Sequence, residues 1–302
     1  MRAWHEVEIF NKSAFVILLD TRGCSWRSCY MCGYNNETKT NEDIIAQTTA
    51  ALEQYGGEEI IKIFTSGSFL DTREISREER KKIFEILPEV DITIETRPEF
   101  VTASAMENLR GKKMEIAVGL ESANNEVLNR CVNKGFDVRD FVGASRMIRE
   151  GGFSVKSYLL LKPPFMSESD ALHDLKDSID FCVRYADTIS VNPVNVQRGT
   201  VVEKLWVEKR YRPPWLWSLR DVLLHSQKYL DKVVVTTMPT GGGRSRGVHN
   251  CFHCDGTFLN AIDECRIAQD YEPLSDLQCG CFERWNDSLE LERFTYGYPI
   301  YY

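Results

Sequence analysis

The segment Asp20-Thr-Arg-Gly-Cys24-Ser-Trp-Arg-Ser-Cys29-Tyr-Met-Cys32-Gly-Tyr34 decides how this chain is read. It directly follows an apolar run at residues 15–19 that has the make-up of a buried strand. Three thiolates on one loop can hold three irons of a cubane cluster and leave the fourth iron open to a substrate. Tetrahedral zinc would want a fourth protein ligand, and none is adjacent. A redox Cys-x-x-Cys pair would not need Cys24 upstream of it. A loop at the C-terminal end of a strand is also where α/β barrels place their chemistry.

Outward from that loop, short β-branched runs alternate with helical patterns. Further strands are expected at residues 60–65, 92–96, 115–119, 155–161 and 188–192. Thr40 precedes Asp43 and the run Ile44, Ile45, Thr48, Leu52. Ser76 and Glu79 form a capping-box pattern before Ile83, Phe84 and Leu87. Ser167 or Ser169 opens another helix, with Leu172, Leu175, Ile179 and Cys182 on one face. Six strands alternating with helices predict an α/β fold of right-handed βα units on a parallel sheet. The strongest breakers are Pro213-Pro214 and the triple glycine at 241–243. The boundary of a small C-terminal module is expected just after those glycines, dividing 1–240 from 241–302.

Composition narrows the class. The chain has 302 residues, 43% of them hydrophobic, enough for a large core and too many for disorder. The longest apolar run near the N-terminus, residues 14–19, is far short of a membrane span or a signal-peptide core. A cytoplasmic chain with no membrane contact is therefore expected, in which clustered cysteines point to metal rather than disulfides. The net charge is −8, which argues against gripping nucleic acid over the whole surface. Yet residues 198–247 carry ten basic and four acidic side chains, a local +6, with Tyr211, Trp215 and Trp217 interleaved. Any nucleic-acid contact should be local.

Of the ten cysteines, three lie in the N-terminal loop and five crowd the C-terminal end. Cys131 and Cys182 stand alone and read as small hydrophobes. Cys251-Phe-His-Cys254 and Cys279-Gly-Cys281 give two close pairs, the ligand set of a closed structural zinc site. An auxiliary iron–sulfur cluster uses the same ligands; zinc is the favoured occupant. Cys265, His249 and His253 are read as bystanders.

The triad loop and the βα units resemble the radical S-adenosylmethionine (SAM) superfamily. Its usual spacing is Cys-x3-Cys-x2-Cys, whereas this chain has Cys-x4-Cys-x2-Cys. That longer spacing is similar to a narrower group, the archaeosine-biosynthesis radical SAM enzymes (RaSEA), relatives of the Elongator catalytic subunit that lack its acetyltransferase domain. The likeness runs through Ser66-Gly-Ser-Phe-Leu-Asp71, Glu95-Thr-Arg-Pro-Glu99, Gly119-Leu-Glu-Ser122, Asn133-Lys-Gly-Phe136, Asn192-Pro-Val-Asn-Val-Gln-Arg-Gly-Thr200, Tyr211-Arg-Pro-Pro-Trp215 and the terminal cysteine module. It covers nearly the whole chain.

The resemblance implies a partial (β/α)6 TIM-like radical SAM barrel followed by the cysteine-rich metal module. It implies a 4Fe-4S cluster on Cys24, Cys29 and Cys32, with SAM at the open iron. The implied substrate is tRNA whose D-loop carries a lysine adduct of a preQ0 (7-cyano-7-deazaguanine)-derived base; a lyase-type C–N cleavage would leave archaeosine. The implied partners are the lysine-transferring archaeosine synthase and an electron donor such as ferredoxin or flavodoxin. Two alternatives stand beside this reading: Elongator-like radical modification of another tRNA base, and a non-catalytic Fe–S and zinc adaptor for tRNA.

Individual residues take roles in that frame. Gly56-Gly57-Glu58 spells a methionine-amine motif but precedes the second strand, and reads as a helix C-cap. Its positional counterpart is Ser66-Gly67-Ser68, whose small residues let backbone and hydroxyls approach an ammonium. Arg97 suits the methionine carboxylate, with Glu95 orienting it, a structural salt bridge being the alternative. Glu121 can accept from ribose hydroxyls or the amine, and Ser122 can cap the helix that follows. Lys134 is a second carboxylate ligand or a solvated lysine, and Met31 holds the position resembling the family's adenine contact. The superfamily's Gly-x-Ile-x-Gly-x-x-Glu pattern is absent from Leu161-Lys-Pro-Pro-Phe165. Glu95, Asn192, Asn195, Gln197 and Arg198 are the substrate-side candidates, the amides suiting a purine-like base or an amino-acid tail.

Overall fold

Each strand expected from the sequence forms in the computed structural model of the protein, which describes residues 1–34, 43–295 and 297–300. The strands are β1 (Arg2–Val7), β2 (Ser13–Leu18), β3 (Ile60–Phe64), β4 (Asp91–Thr96), β5 (Met114–Glu121), β6 (Ser154–Leu161), β7 (Thr188–Pro193) and β8 (Val234–Thr237). They follow one another across the sheet in chain order. β1 pairs antiparallel with β2; the pairs β2–β3, β3–β4, β4–β5 and β7–β8 are parallel. The sheet is therefore mixed and has two more strands than the six expected. β1 buries none of its residues, so it carries no apolar signal, and β8 is only four residues long.

Local chemistry sets the helix starts. Asp43 caps α1 (Ile44–Leu52) by accepting from the N–H groups of Ile45 and Ala46, whereas Thr40 lies outside the described residues. The Ser76–Glu79 capping box opens α2 (Arg77–Ile86) as expected. Thr102 caps α3 (Ala103–Leu109), and Asn124 caps the single turn α4 (Asn125–Val127). Ser122 is thus not the cap; its hydroxyl donates to Asp174 at 2.9 Å and accepts from the Asn124 N–H. α5 spans Val138–Glu150. Ser167 caps α6 (Glu168–Cys182), whose Leu172, Leu175, Ile179 and Cys182 are buried. The later helices are α7 (Val201–Val207), α8 (Leu216–Ser226), α9 (Asp255–Ala268) and α10 (Phe282–Leu291). The glycine pair 56–57 does not end α1, whose C-cap is Glu53. No helix among the described residues is long and apolar enough to cross a membrane.

The chain divides into two compact units. The first comprises Met1–Arg27, Tyr34–Gly119 and Arg139–Ser157. Its core includes Phe15, Ile17, Ile61, Ile63, Phe69 and Ile94, all essentially inaccessible. Lys62 pairs there with Glu6 at 3.1 Å and with Glu8, and Lys156 with Glu115 at 3.4 Å, so these buried ammonium groups are compensated.

The second unit comprises Ser28–Gly33, Leu120–Val138 and Tyr158–Tyr302. Trp217 is buried, its ring edge-on to Phe258 at 4.5 Å and to Phe282 at 5.0 Å and stacked with Trp285 at 6.2 Å. Tyr211 and Trp215 are buried as well. These three aromatics of the basic stretch are therefore core residues. Two of its cations are also structural. Arg212 donates to the carbonyls of Pro213 and His249, each at 2.8 Å, and Arg220 to that of Leu274 at 2.7 Å. Below them, Lys162 meets Glu168 at 2.6 Å and Glu292 at 3.3 Å, all three out of solvent.

Candidate active site and metal centre

In the first unit, the cysteine loop begins where Leu19 N–H donates to Phe64 C=O, and Cys24 lies half-buried on it. Arg27 Nε donates to the Cys24 carbonyl at 3.0 Å and so braces the turn. The Ser66–Ser68 turn after β3 presses against this loop. A Cβ on Gly67 would stand 2.5 Å from Cys24 Cα and would overlap Glu74 Oε1, so only glycine permits the approach. Ser68 is committed too: its N–H donates to Glu74 Oε1 at 2.7 Å and its hydroxyl accepts from Arg97 N–H at 3.1 Å. Glu74 takes the Thr21 hydroxyl on its other oxygen at 2.8 Å, and burial raises its carboxyl above the usual range. Two of the three residues read as amine ligands thus knit the turn to the cysteine loop. Ser66 differs, being half-buried with a hydroxyl that makes no hydrogen bond among the described residues.

Arg97 is buried at the end of β4. Its Nε meets Glu99 Oε1 at 2.5 Å, and its guanidinium lies 5.6 Å from the ring centre of Trp26 in the cysteine loop. Glu99 is thus an acid on the Arg97 Nε, and the Glu95 carbonyl accepts from Phe69 N–H. Glu74, Glu99 and Trp26 were missed. Trp26 and Glu99 lie inside quoted motifs, and Glu74 follows Ser66-Gly-Ser-Phe-Leu-Asp71 by three residues.

In the second unit, Cys29 and Cys32 are half-buried, and Cys32 N–H donates to the Cys29 carbonyl at 3.3 Å. The loop between them is held from three sides. Tyr30 N–H donates to Val132 C=O at 3.0 Å, Asn133 Nδ2 to Ser28 C=O at 2.8 Å, and Gly33 N–H to Gln197 Oε1 at 2.5 Å. Met31, partly buried, packs against the Val194–Val202 cluster and against Val132 and Met166. Glu121, in the left-handed region at φ +75°, pairs with Lys134 at 2.5 Å, and both side chains are nearly out of solvent. Lys134 is therefore buried rather than solvated, and the two candidates form one ion pair. Among the substrate-side candidates, Gln197 supports the cysteine loop and Asn192 bonds with Ser190 of its own strand. Asn195 lies 3.5 Å from the Thr240 carbonyl, and Arg198 is exposed.

The C-terminal cysteines converge. Cys251 Sγ lies 3.7 Å from Cys254 Sγ and 3.8 Å from Cys279 Sγ, and Cys254 Sγ lies 3.8 Å from Cys281 Sγ. All four sulfurs fall within 4.8 Å of one another. A tetrahedron with metal–sulfur bonds of about 2.3 Å has edges of roughly 3.8 Å. The spacing fits one four-coordinate ion; a multi-iron cluster would divide the sulfurs among its irons and hold those on different irons further apart. Burial pushes the thiols of Cys254 and Cys281 up, and a cation among them favours the thiolates. The Trp217 indole N–H donates to Cys281 Sγ at 3.2 Å, and Asn250 Nδ2 to Cys254 Sγ at 3.5 Å, the outer contacts that orient metal ligands. Cys265 and His249 are buried outside this group; His249 Nδ1 lies 2.7 Å from the Gly247 carbonyl and its ring stacks on Phe252.

The sequence profile of the radical SAM superfamily matches residues 18–177. Archaeosine synthase subunit beta of Methanosarcina acetivorans is 38% identical over 318 aligned residues, a match spanning 99% of this chain and 92% of that one. Archaeosine synthase subunit beta of Thermococcus kodakarensis is 40% identical over 298, spanning 92% of each chain. The chain belongs to the radical SAM superfamily and, within it, to the family of these subunits. The archaeal Elp3 of Methanocaldococcus infernus shares the fold, with a TM-score of 0.54 at 17% identity over 73% of this chain and 58% of that one. Membership implies a 4Fe-4S cluster and SAM. Cys24, Cys29 and Cys32 are each half-buried and in no disulfide, and thiolates are the ligands that such a cluster takes.

Proposed function

We propose that this radical SAM protein is the subunit of archaeosine synthesis that acts on tRNA, cleaving a C–N bond of the lysine adduct of the preQ0-derived base in the D-loop. The observation that carries the reading is the likeness, along nearly the whole chain, to two archaeosine synthase beta subunits. Cys24, Cys29 and Cys32 would hold the cluster. The chemistry that bound cluster and SAM supply is hydrogen abstraction by a 5′-deoxyadenosyl radical. The chain's own work is to bind, orient and exclude water. Arg97, its guanidinium already aligned by Glu99, suits the methionine carboxylate, and the uncommitted Ser66 hydroxyl suits the amine. The buried Glu121–Lys134 pair offers an acceptor for ribose hydroxyls, with Met31 against the adenine.

The partner in this reading is the lysine-transferring archaeosine synthase, the reductant a ferredoxin or flavodoxin, and the compartment the cytoplasm. Zinc is the ion for Cys251, Cys254, Cys279 and Cys281, supported by sulfur separations that match one tetrahedral centre.

Anaerobically reduced protein, SAM and lysine-adduct tRNA, with products read by mass spectrometry, test the assignment. Deoxyadenosine and archaeosine should both form, and Cys29→Ala should abolish both along with the brown chromophore. Deoxyadenosine without archaeosine would sink the substrate; an intact cluster that forms no deoxyadenosine would sink the enzyme class.

A further inference from the structure

The loop after β8 closes on itself so tightly that glycine is obligatory. A Cβ on Gly247 would stand 2.5 Å from the carbonyl carbon of Gly241, and Gly241 and Gly243 both have positive φ. Gly243 N–H donates to Val248 C=O at 2.9 Å, and Val196 N–H to Arg246 C=O at 2.7 Å, which pins this loop to the segment after β7. Arg246 locks the junction through Nε to the Val196 carbonyl at 3.0 Å and an ion pair with Glu203.

The two segments enclose an open cavity of about 350 Å³, walled by Asn195, Gln197, Gly241, Arg244, Ser245 and Arg246 among others. No carboxylate lines it. Arg244 and Ser245 are exposed. The Arg244 guanidinium, the Ser245 hydroxyl and the N–H groups of both residues make no hydrogen bond among the described residues. Uncommitted donors on a glycine-tightened turn, with the exposed Arg244 guanidinium, form a site for a tetrahedral anion. Its place in the molecule selects the anion. Gln197 in its wall is the residue that accepts from Gly33, next to Cys32, so whatever binds here is held beside the cysteine loop.

We propose that this cavity binds one backbone phosphate of the RNA substrate through Arg244 and the Ser245 turn. The proposal rests on the reading of the chain as a tRNA-modifying enzyme. A phosphate grip of this kind carries no sequence information; it sets register, leaving the base to the radical site.

Anisotropy titrations of labelled tRNA with the cluster-loaded protein, across a salt series, test it together with steady-state kinetics. Arg244→Ala should weaken tRNA binding several-fold and reduce the slope of log affinity against log salt by about one, the signature of a single lost phosphate contact. It should raise KM for tRNA, leave kcat nearly unchanged, and leave tRNA-independent SAM cleavage intact. Unchanged affinity and slope would overturn the proposal. So would inorganic phosphate alone binding as tightly as tRNA, since the cavity would then be a small-anion site. A wild-type protein with no action on tRNA refutes the functional reading itself; an active wild type indistinguishable from Arg244→Ala refutes only the cavity.

Discussion

Glu74 ties Thr21, at the head of the cysteine loop, to the turn that carries Ser68. Glu74→Ala leaves a buried N–H and a buried hydroxyl without acceptors, at about 1–3 kcal/mol each. Urea denaturation should register a loss of roughly 2–6 kcal/mol, and Glu74→Gln, which keeps an acceptor, should lose less. For Glu121 and Lys134 the test is a double-mutant cycle. Lys134→Met alone strands a buried carboxylate, so it should destabilise more than Lys134→Met combined with Glu121→Gln. Asp174 makes a pH prediction. Burial, with Asp177 adding to it and the Ser122 hydrogen bond opposing, pushes its carboxyl up to about 6 from an ordinary 3.8. The folded chain holds the extra proton between those values, so the stability tied to this group is full below about pH 4 and is lost as pH rises through about 6. Asp174→Asn keeps an acceptor for Ser122, should flatten that window, and should raise stability at pH 7 by about 1–3 kcal/mol.

Among the elements, β2 to β7 and the capped helices were legible because burial on both faces writes β-branched runs, and Ser76 and Ser167 write their own caps. The two strands not foreseen carry the weakest signals: β1 buries nothing, and β8 is four residues long. At the site, the two cysteine motifs were legible because their spacing is a covalent property. What the sequence could not disclose are contacts made at a distance. Glu74 meets Thr21 across 53 residues, and Gln197 meets Gly33 across 164. The Gln197 oxygen is an example: nothing local in the sequence says that it takes the Gly33 N–H. The β3 turn yields the prediction at this scale. Gly67→Ala cannot keep both Cys24 and Glu74 where they are, and should cost most of the cluster absorbance after reconstitution while far-UV circular dichroism stays near wild type.

For the whole molecule, the acidic balance of −8 hides a basic stretch of which part is internal. Arg212 and Arg220 serve carbonyls, so fewer cations face outward than the sequence count suggests. The four-cysteine cluster bears on stability at this scale, because Cys281 takes the indole N–H of Trp217, around which Phe258, Phe282 and Trp285 gather. With zinc as the proposed ion at one per chain, Cys279→Ser should lower it to near zero by plasma mass spectrometry and should depress the melting temperature by several degrees. The Lys162–Glu292 contact has a consequence in time. It joins residues 130 apart, and Glu292 also accepts the Glu168 N–H at 2.8 Å. A nascent chain emerging at about 5–20 residues per second cannot finish this interior until residue 292 has cleared the ribosome. Until then Lys162 has one carboxylate instead of two, and the start of α6 lacks an acceptor. A ribosome stalled before that point would display an unfinished second unit, open to chaperones and proteases, however complete its earlier strands.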